Sequence, residues 1–329
     1  MPESILVVGG AGYIGSHMVK QLRRAGFAVA VADDLSSGHR KAVGDAALHV
    51  GDIGDAAFVD AVLCATEPAV VMHFASFIQV GESVADPAKY YRNNVTATQV
   101  LLDGMRKHGV SRFIFSSTAA IFGEPNYVPI DEAHPKAPIN PYGRSKWMVE
   151  QMLSDYDRAY ALKSVCLRYF NAAGADPEGE LGERHEPETH LVPLILQVAS
   201  GRRPHIGVYG DDYPTPDGTC VRDYVHVEDL CSAHLLALRQ LLDGAGSARY
   251  NLGNGNGFSV REVIDAARRI SGHPIPVKQE PRRAGDPPSL VADSSAARNA
   301  LGWQPRYPEL DTIVAHAWAC EQRIAADLG

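Results

Sequence analysis

Cysteine is sparse and never closely paired: Cys64, Cys166, Cys220, Cys231 and Cys320 are the only five in 329 residues, and no C-x-x-C pair occurs. That pattern excludes a disulfide framework and reads as reduced, mostly buried thiols. Long apolar runs are also missing; none reaches the roughly 20 residues of a membrane helix. No basic block stands out from a net charge of −8 carried by residues of mixed sign, which speaks against a nucleic-acid footprint. Any anionic ligand is left to individual arginines. The chain begins on an apolar strand without a charged n-region or a cleavage site. The expectation is a cytoplasmic protein with neither membrane nor nucleic acid as partner.

What is present is a regular alternation. Apolar runs at 5–8, 28–33, 48–50, 70–74, 112–116 and 165–169 are separated by helical patterns at about 13–25, 56–65, 88–108 and 142–161. Strict alternation predicts an α/β fold: a doubly wound, Rossmann-type parallel sheet covered on both faces. After Asn171 the composition shifts, and 175–190 is rich in Pro, Gly and charge, as an exposed functional loop would be. A helix at 191–201, a Gly/Pro/Asp loop at 207–221 and an amphipathic helix at 227–242 follow. Ser259-x-x-Glu262 is a capping box for a helix over 260–271 that Gly272 and Pro274 close. The breaker-rich loop 281–289 precedes helices at 295–301 and 310–326. The expected division is a dinucleotide-binding domain, 1–172 joined by 221–244, and a smaller α/β substrate lobe, 173–220 and 245–329, leaning over the strand ends where ligands bind.

The first seventeen residues carry the clearest chemistry. The run 4–8 breaks into Gly9, Gly12 and Gly15, spaced G-x-x-G-x-x-G, and a helix begins. Glycines there let the backbone turn tightly, approach a pyrophosphate, and pack helix on sheet. The helix N-terminus then offers free N–H groups to the phosphates. Asp33 ends the second strand, placed to accept hydrogen bonds from an adenosine ribose and repel a 2′-phosphate, which selects NAD over NADP.

Tyr142-Gly143-Arg144-Ser145-Lys146 sets a tyrosine and a lysine on one helix face. A free phenol titrates near ~10, and a nearby ammonium favours its ionised form, so the pair can supply a base. Ser116-Ser117-Thr118 ends the fifth strand, where a hydroxyl can reach a ligand cleft. Glycine loop, strand-end hydroxyl and Tyr-x-x-x-Lys together resemble the short-chain dehydrogenase/reductase superfamily. Further blocks sharpen the resemblance: Gly9-Gly10-Ala11-Gly12-Tyr13-Ile14-Gly15-Ser16-His17, His73-Phe74-Ala75, Val80-Gly81-Glu82-Ser83, Tyr91-x-Asn93-Asn94-Val95, Tyr169-Phe170-Asn171-Ala172-Ala173-Gly174-Ala175 and the stretch from Tyr213 to Val227. They are similar to the UDP-glucose (UDP-galactose) 4-epimerase family of the extended branch, from Ile5 to beyond Trp303.

That resemblance implies an isomerase. A UDP-sugar is epimerised at C4 through a transient 4-keto sugar, with NAD retained. Gly9, Gly12, Tyr13, Ile14 and Gly15 are then the phosphate loop; Asp33 and Asp34 meet the adenosine ribose; Asp52 and Ile53 sit at the adenine; Phe74, Ala75, Asn93 and Ser116 line the cofactor. Thr118, Tyr142 and Lys146 form the catalytic group. Tyr169, Phe170 and Asn171 bridge nicotinamide and sugar. His190 and Leu191 approach the uridine, and Arg222, Arg283 and Asp286 hold the nucleotide diphosphate and its ribose. Arginine forks suit two phosphate charges. A homodimer through helices 88–108 and 142–161 is also implied.

The chain departs from the family in three places. Threonine stands at 118 where many relatives have serine, no lysine occurs in 74–80, and Leu290 replaces a tyrosine or smaller residue that limits room for the sugar's 2-substituent. UDP-N-acetylhexosamines are therefore expected as further substrates. The run from His185 to His190 holds potential metal ligands, but its Pro and loop context lack a fixed spacing such as H-E-x-x-H, so no metal is expected. The rival readings are a UDP-pentose 4-epimerase, with the same mechanism and another sugar pocket, and a non-catalytic NAD sensor, which need not keep the three catalytic side chains. A 4,6-dehydratase would be expected to carry an Asp-Glu pair where Ala119-Ala120 stand.

Overall fold

The apolar runs of the first half become β1 (Ser4–Val8), β2 (Ala28–Asp33), β3 (Ala47–Val50), β4 (Val70–His73), β5 (Arg112–Thr118) and β6 (Lys163–Tyr169). Shorter strands follow: β7 (Asn171–Ala173), β8 (Ile206–Tyr209), β9 (Val221–His226), β10 (Ala248–Leu252), β11 (Gly257–Ser259), β12 (Val277–Glu280) and β13 (Ser289–Leu290). The structure is a computed structural model that describes residues 2–283 and 286–328. β1 to β6 and β10 form one parallel sheet in the order β10-β6-β5-β4-β1-β2-β3. Its order reverses at β1, between β2 and β4, and such a switch point opens a crevice at the carboxyl ends of the strands.

The helices are α1 (Tyr13–Arg24), α2 (Ala56–Thr66), α3 (Val80–Ala85), α4 (Pro87–Tyr90), α5 (Ala97–Lys107), α6 (Pro141–Tyr160), α7 (Leu191–Ala199), α8 (Val227–Leu242), α9 (Val260–Ser271), α10 (Ser295–Leu301) and α11 (Leu310–Leu328). Alternate strand residues face opposite layers. Ile5, Val7 and Val31 pack with Met18 and Leu22 of α1 and Leu230 and Leu238 of α8. Leu6, Val8 and Phe113 pack with Leu63 of α2, Leu101 of α5 and Val149 of α6. Burial on both faces is why these strands are continuous apolar runs.

Among the described residues no helix is long and apolar enough to cross a membrane. The helix expected over 88–108 is three pieces: α4, a π-helical turn at Tyr91–Thr96, and α5. The capping box forms, with Ser259 Oγ accepting from the Glu262 amide at 3.1 Å and the Glu262 carboxylate accepting from the Ser259 amide at 2.7 Å.

The smaller lobe is built on β9, flanked by antiparallel β11 and parallel β13, with β7 parallel to its far end. A parallel pair, β8 and β12, lies beside it. Ile195 of α7, Ile264 of α9 and Ile313 of α11 share the lobe's core. The expected division is crossed in two places. Residues 221–226, expected with the dinucleotide-binding domain, are β9 of the lobe sheet. Within 245–329, β10 is the edge strand of the large sheet, and Ala297, Leu301 and Trp303 are buried in the core beneath α8. Trp303 Nε1 donates to the Asp229 carbonyl at 2.9 Å, and the amides of Arg306 and Tyr307 donate to the Asp229 carboxylate at 2.7 and 2.8 Å.

Candidate active site

The glycine loop is shaped by close backbone approach. Gly9 has φ +80°, and a Cβ there would lie 2.4 Å from the Ala75 amide nitrogen; at Gly15 it would lie 2.1 Å from the Gly9 carbonyl oxygen. Asp33 holds the loop from beneath, accepting from the Ala11 amide at 2.9 Å and the Leu35 amide at 2.8 Å. Burial raises its pKa, and the two amide bonds oppose that rise.

Above the strand ends lies an open cleft. Gly9, Gly12, Asp33, Asp34, Asp52, Ile53, Phe74, Ala75 and Asn93 all line it. Tyr13 instead donates its hydroxyl to the Gly174 carbonyl at 2.7 Å, tying the loop to the chain beyond β7, while Ile14 packs on the core. The Ser116 hydroxyl is bonded to the Tyr169 hydroxyl. The cradle fits a dinucleotide: glycine backbone faces the helix N-terminus, and a carboxylate ends β2.

At the end of β5, Thr118 Oγ1 accepts from the Ala120 amide at 3.1 Å. Asn140 caps α6 by accepting from Gly143 N at 2.8 Å, and Pro141 opens the first turn. Burial raises the pKa of Tyr142, and a hydrogen bond with Thr118 opposes the rise. Lys146 is 2% exposed. Its ammonium does not bond to the tyrosine; it donates to Ser76 Oγ and to the Ser116 carbonyl, both at 2.8 Å. The expected Tyr–Lys pairing is thus a shared neighbourhood. Burial lowers Lys146 to about 7, and the Glu150 carboxylate pulls it back upward. Glu150, fully buried, is held by Arg168 at 2.9 and 2.6 Å and by the Ser117 hydroxyl at 2.6 Å.

On the lobe side, Phe170 and Leu290 pack against the same small cluster, Ala119, Ile121, Phe122 and Ile130, which continues directly from Thr118. Asn171 begins β7, pairing with Tyr224. Arg222 is bonded to the Asp286 carboxylate and donates to the Pro287 carbonyl at 2.9 Å. Arg283 lies over the Tyr209 ring at 3.8 Å. Leu191 starts α7. His190 departs from expectation: its side chain is engaged with Glu183 at 2.8 Å and Glu188 at 3.1 Å. Those carboxylates raise it to about 10 against the opposing effect of burial.

Several contributors were not foreseen. Ser36, Ser37 and Gly38 line the cleft just past Asp34; a polar, glycine-ended turn after a strand was the available signal. Ser76 supports Lys146 where the family offers a lysine position nearby. A Cβ at Gly143 would lie 2.4 Å from the Ala120 carbonyl, so this glycine lets α6 reach the Thr118 turn. Asn94, in the π turn, accepts from Phe77 N at 2.9 Å and donates to Ser145 Oγ at 3.0 Å, bracing both walls.

Fold and cleft together define a dinucleotide-dependent enzyme. The model of the NAD dependent epimerase/dehydratase family matches residues 5–253, and the chain belongs to that family. Within it the similarity is to UDP-glucose 4-epimerases. That of Halalkalibacterium halodurans is 52% identical over 315 residues, covering 96% of this chain and 94% of the relative. The crystal structure of the Brucella ovis UDP-glucose 4-epimerase in complex with NAD superposes with a TM-score of 0.94 at 51% identity, covering 96% of this chain and 97% of that one. The Bifidobacterium longum enzyme in complex with NAD+ and UDP gives 0.93 at 40% identity, covering 97% and 98%.

Proposed function

We propose that the chain interconverts UDP-glucose and UDP-galactose by inverting C4, with NAD held in the cleft by Gly9, Gly12 and Asp33. The observation that carries this is the placement of Tyr142 and Lys146 on α6 beside Thr118 at the end of β5, with the Lys146 ammonium donating to the Ser116 carbonyl. NAD supplies a hydride acceptor that gives the hydride back within the same cycle. Tyr142 takes the proton of the 4-hydroxyl and later returns it, and Thr118 holds that hydroxyl in line. Lys146 adds positive charge, which favours the ionised phenol. Inversion requires the oxidised sugar to present its other face, so anchoring has to fall on the nucleotide. Arg222 and Arg283 answer the diphosphate, Asp286 its ribose, and Leu191 the uridine end. Phe170, Asn171 and Leu290 border the sugar. The enzyme is proposed to act as a homodimer through α5 and α6 in the cytoplasm, where its unpaired cysteines stay reduced.

Incubation with UDP-galactose and no added NAD is expected to yield UDP-glucose. Tyr142→Phe should lower kcat by at least about a hundredfold with UDP affinity retained; near-normal turnover in that variant rejects the assignment. Leu290 motivates a specificity prediction, because leucine leaves more room than tyrosine. UDP-N-acetylgalactosamine should be epimerised with a kcat/KM within about a thousandfold of that for UDP-galactose, and stronger discrimination would mean a closed pocket. UDP-arabinose in the same assay separates the hexose reading from the pentose one.

A further inference from the structure

Between β7 and α7 the chain folds Glu183, His185, Glu188 and His190 together, one ligand atom of each lying within 4.8 Å of the others. Glu183 is the member that the sequence run 185–190 did not include. Imidazole Nδ1 and carboxylate oxygens alternate: His185 lies 3.2 Å from Glu183 and 3.7 Å from Glu188, and His190 lies 2.8 Å from Glu183 and 3.1 Å from Glu188. Four ligands at about 2.0–2.1 Å around a tetrahedral zinc ion stand about 3.3 Å apart. The observed separations straddle that edge length. The carboxylates are nearly buried, at 6% and 4% side-chain exposure. His185 Nδ1 is buried and, although close to Glu183, is not aligned with any hydrogen-bond partner. Two imidazoles with two carboxylates are a borderline donor set that suits zinc and not magnesium or calcium.

We propose that these four side chains form a zinc site, structural in role because all four positions of a tetrahedron are taken by protein. The His185 ring stands edge-on to Tyr13 of the glycine loop, centroids 6.4 Å apart. A bound ion therefore staples the 175–190 segment beside the loop that cradles the dinucleotide.

The test uses the full chain without a polyhistidine tag, stripped with EDTA, reloaded with Zn²⁺ and desalted. Elemental analysis should find about one zinc per chain, and Zn²⁺ should raise the Tm by at least about 3 °C. The double substitution Glu183→Gln with His185→Gln should lower Zn²⁺ affinity at least about tenfold and remove the Tm shift, with circular dichroism in EDTA matching the parent. Zinc below about 0.2 per chain in the parent, or equal binding by the variant, overturns the site. If the double variant does not fold, the single change His185→Gln is read by the same criteria.

Discussion

At Lys146 burial lowers the ammonium to about 7 from an ordinary 10.5, with Glu150 one turn along α6 opposing the fall. Between those values the unfolded chain binds a proton that the folded chain does not, so stability rises with pH across 7 to 10.5 and is lost as pH falls through 7. At about 1.4 kcal/mol per unit, the whole window is worth up to roughly 5 kcal/mol. Lys146→Met should therefore flatten the dependence of Tm on pH between 7 and 10, measured by calorimetry on the free protein. An unchanged slope would assign the titration elsewhere. Tyr142 leans the other way: burial raises it and Thr118 only partly opposes, so the free protein rests with a neutral phenol.

α6 delivers both of these side chains, and its approach to β5 depends on Gly143. A Cβ there meets the Ala120 carbonyl at 2.4 Å, backbone against side chain with nothing flexible to yield. Gly143→Ala should push the helix start away from Thr118 and reduce kcat by about a hundredfold or more, with a far smaller effect on UDP binding. Wild-type kcat in this variant would show that the turn can shift freely. The composition of elements explains what sequence could reveal. β1, β4 and β5 are buried on both faces and stand out as apolar runs. β10 reads Ala-Arg-Tyr-Asn-Leu, and its polar members hid the edge strand of the large sheet: Asn251 is buried, its side-chain amide donating to the Ile130 carbonyl and its backbone amide to the Glu132 carboxylate. The π turn at Tyr91–Thr96 left no periodic mark, since one added residue in a turn barely shifts a helical pattern. Motif spacing exposed Tyr142, Lys146 and Asp33, whereas Ser76 acts through Lys146, a folding partner far along the chain that no local pattern announces.

Over the whole molecule, α6 keeps Met148 at 41% and Tyr160 at 51% exposure, an apolar surface in keeping with a second copy packing there. Light scattering should give twice the chain mass for the parent, and Met148→Glu should shift the protein toward monomer; a monomeric parent rejects the dimer. The strap beyond α10 has a broader consequence. Trp303 and the amides of Arg306 and Tyr307 return from the lobe to lock onto Asp229 at the start of α8, and β10 is threaded into the large sheet between two lobe segments. The lobe is consequently no exchangeable cassette. Lobes cannot be traded between relatives by a single crossover, and new sugar preference in this architecture has to arise by substitution at individual positions, of which Leu290 is one.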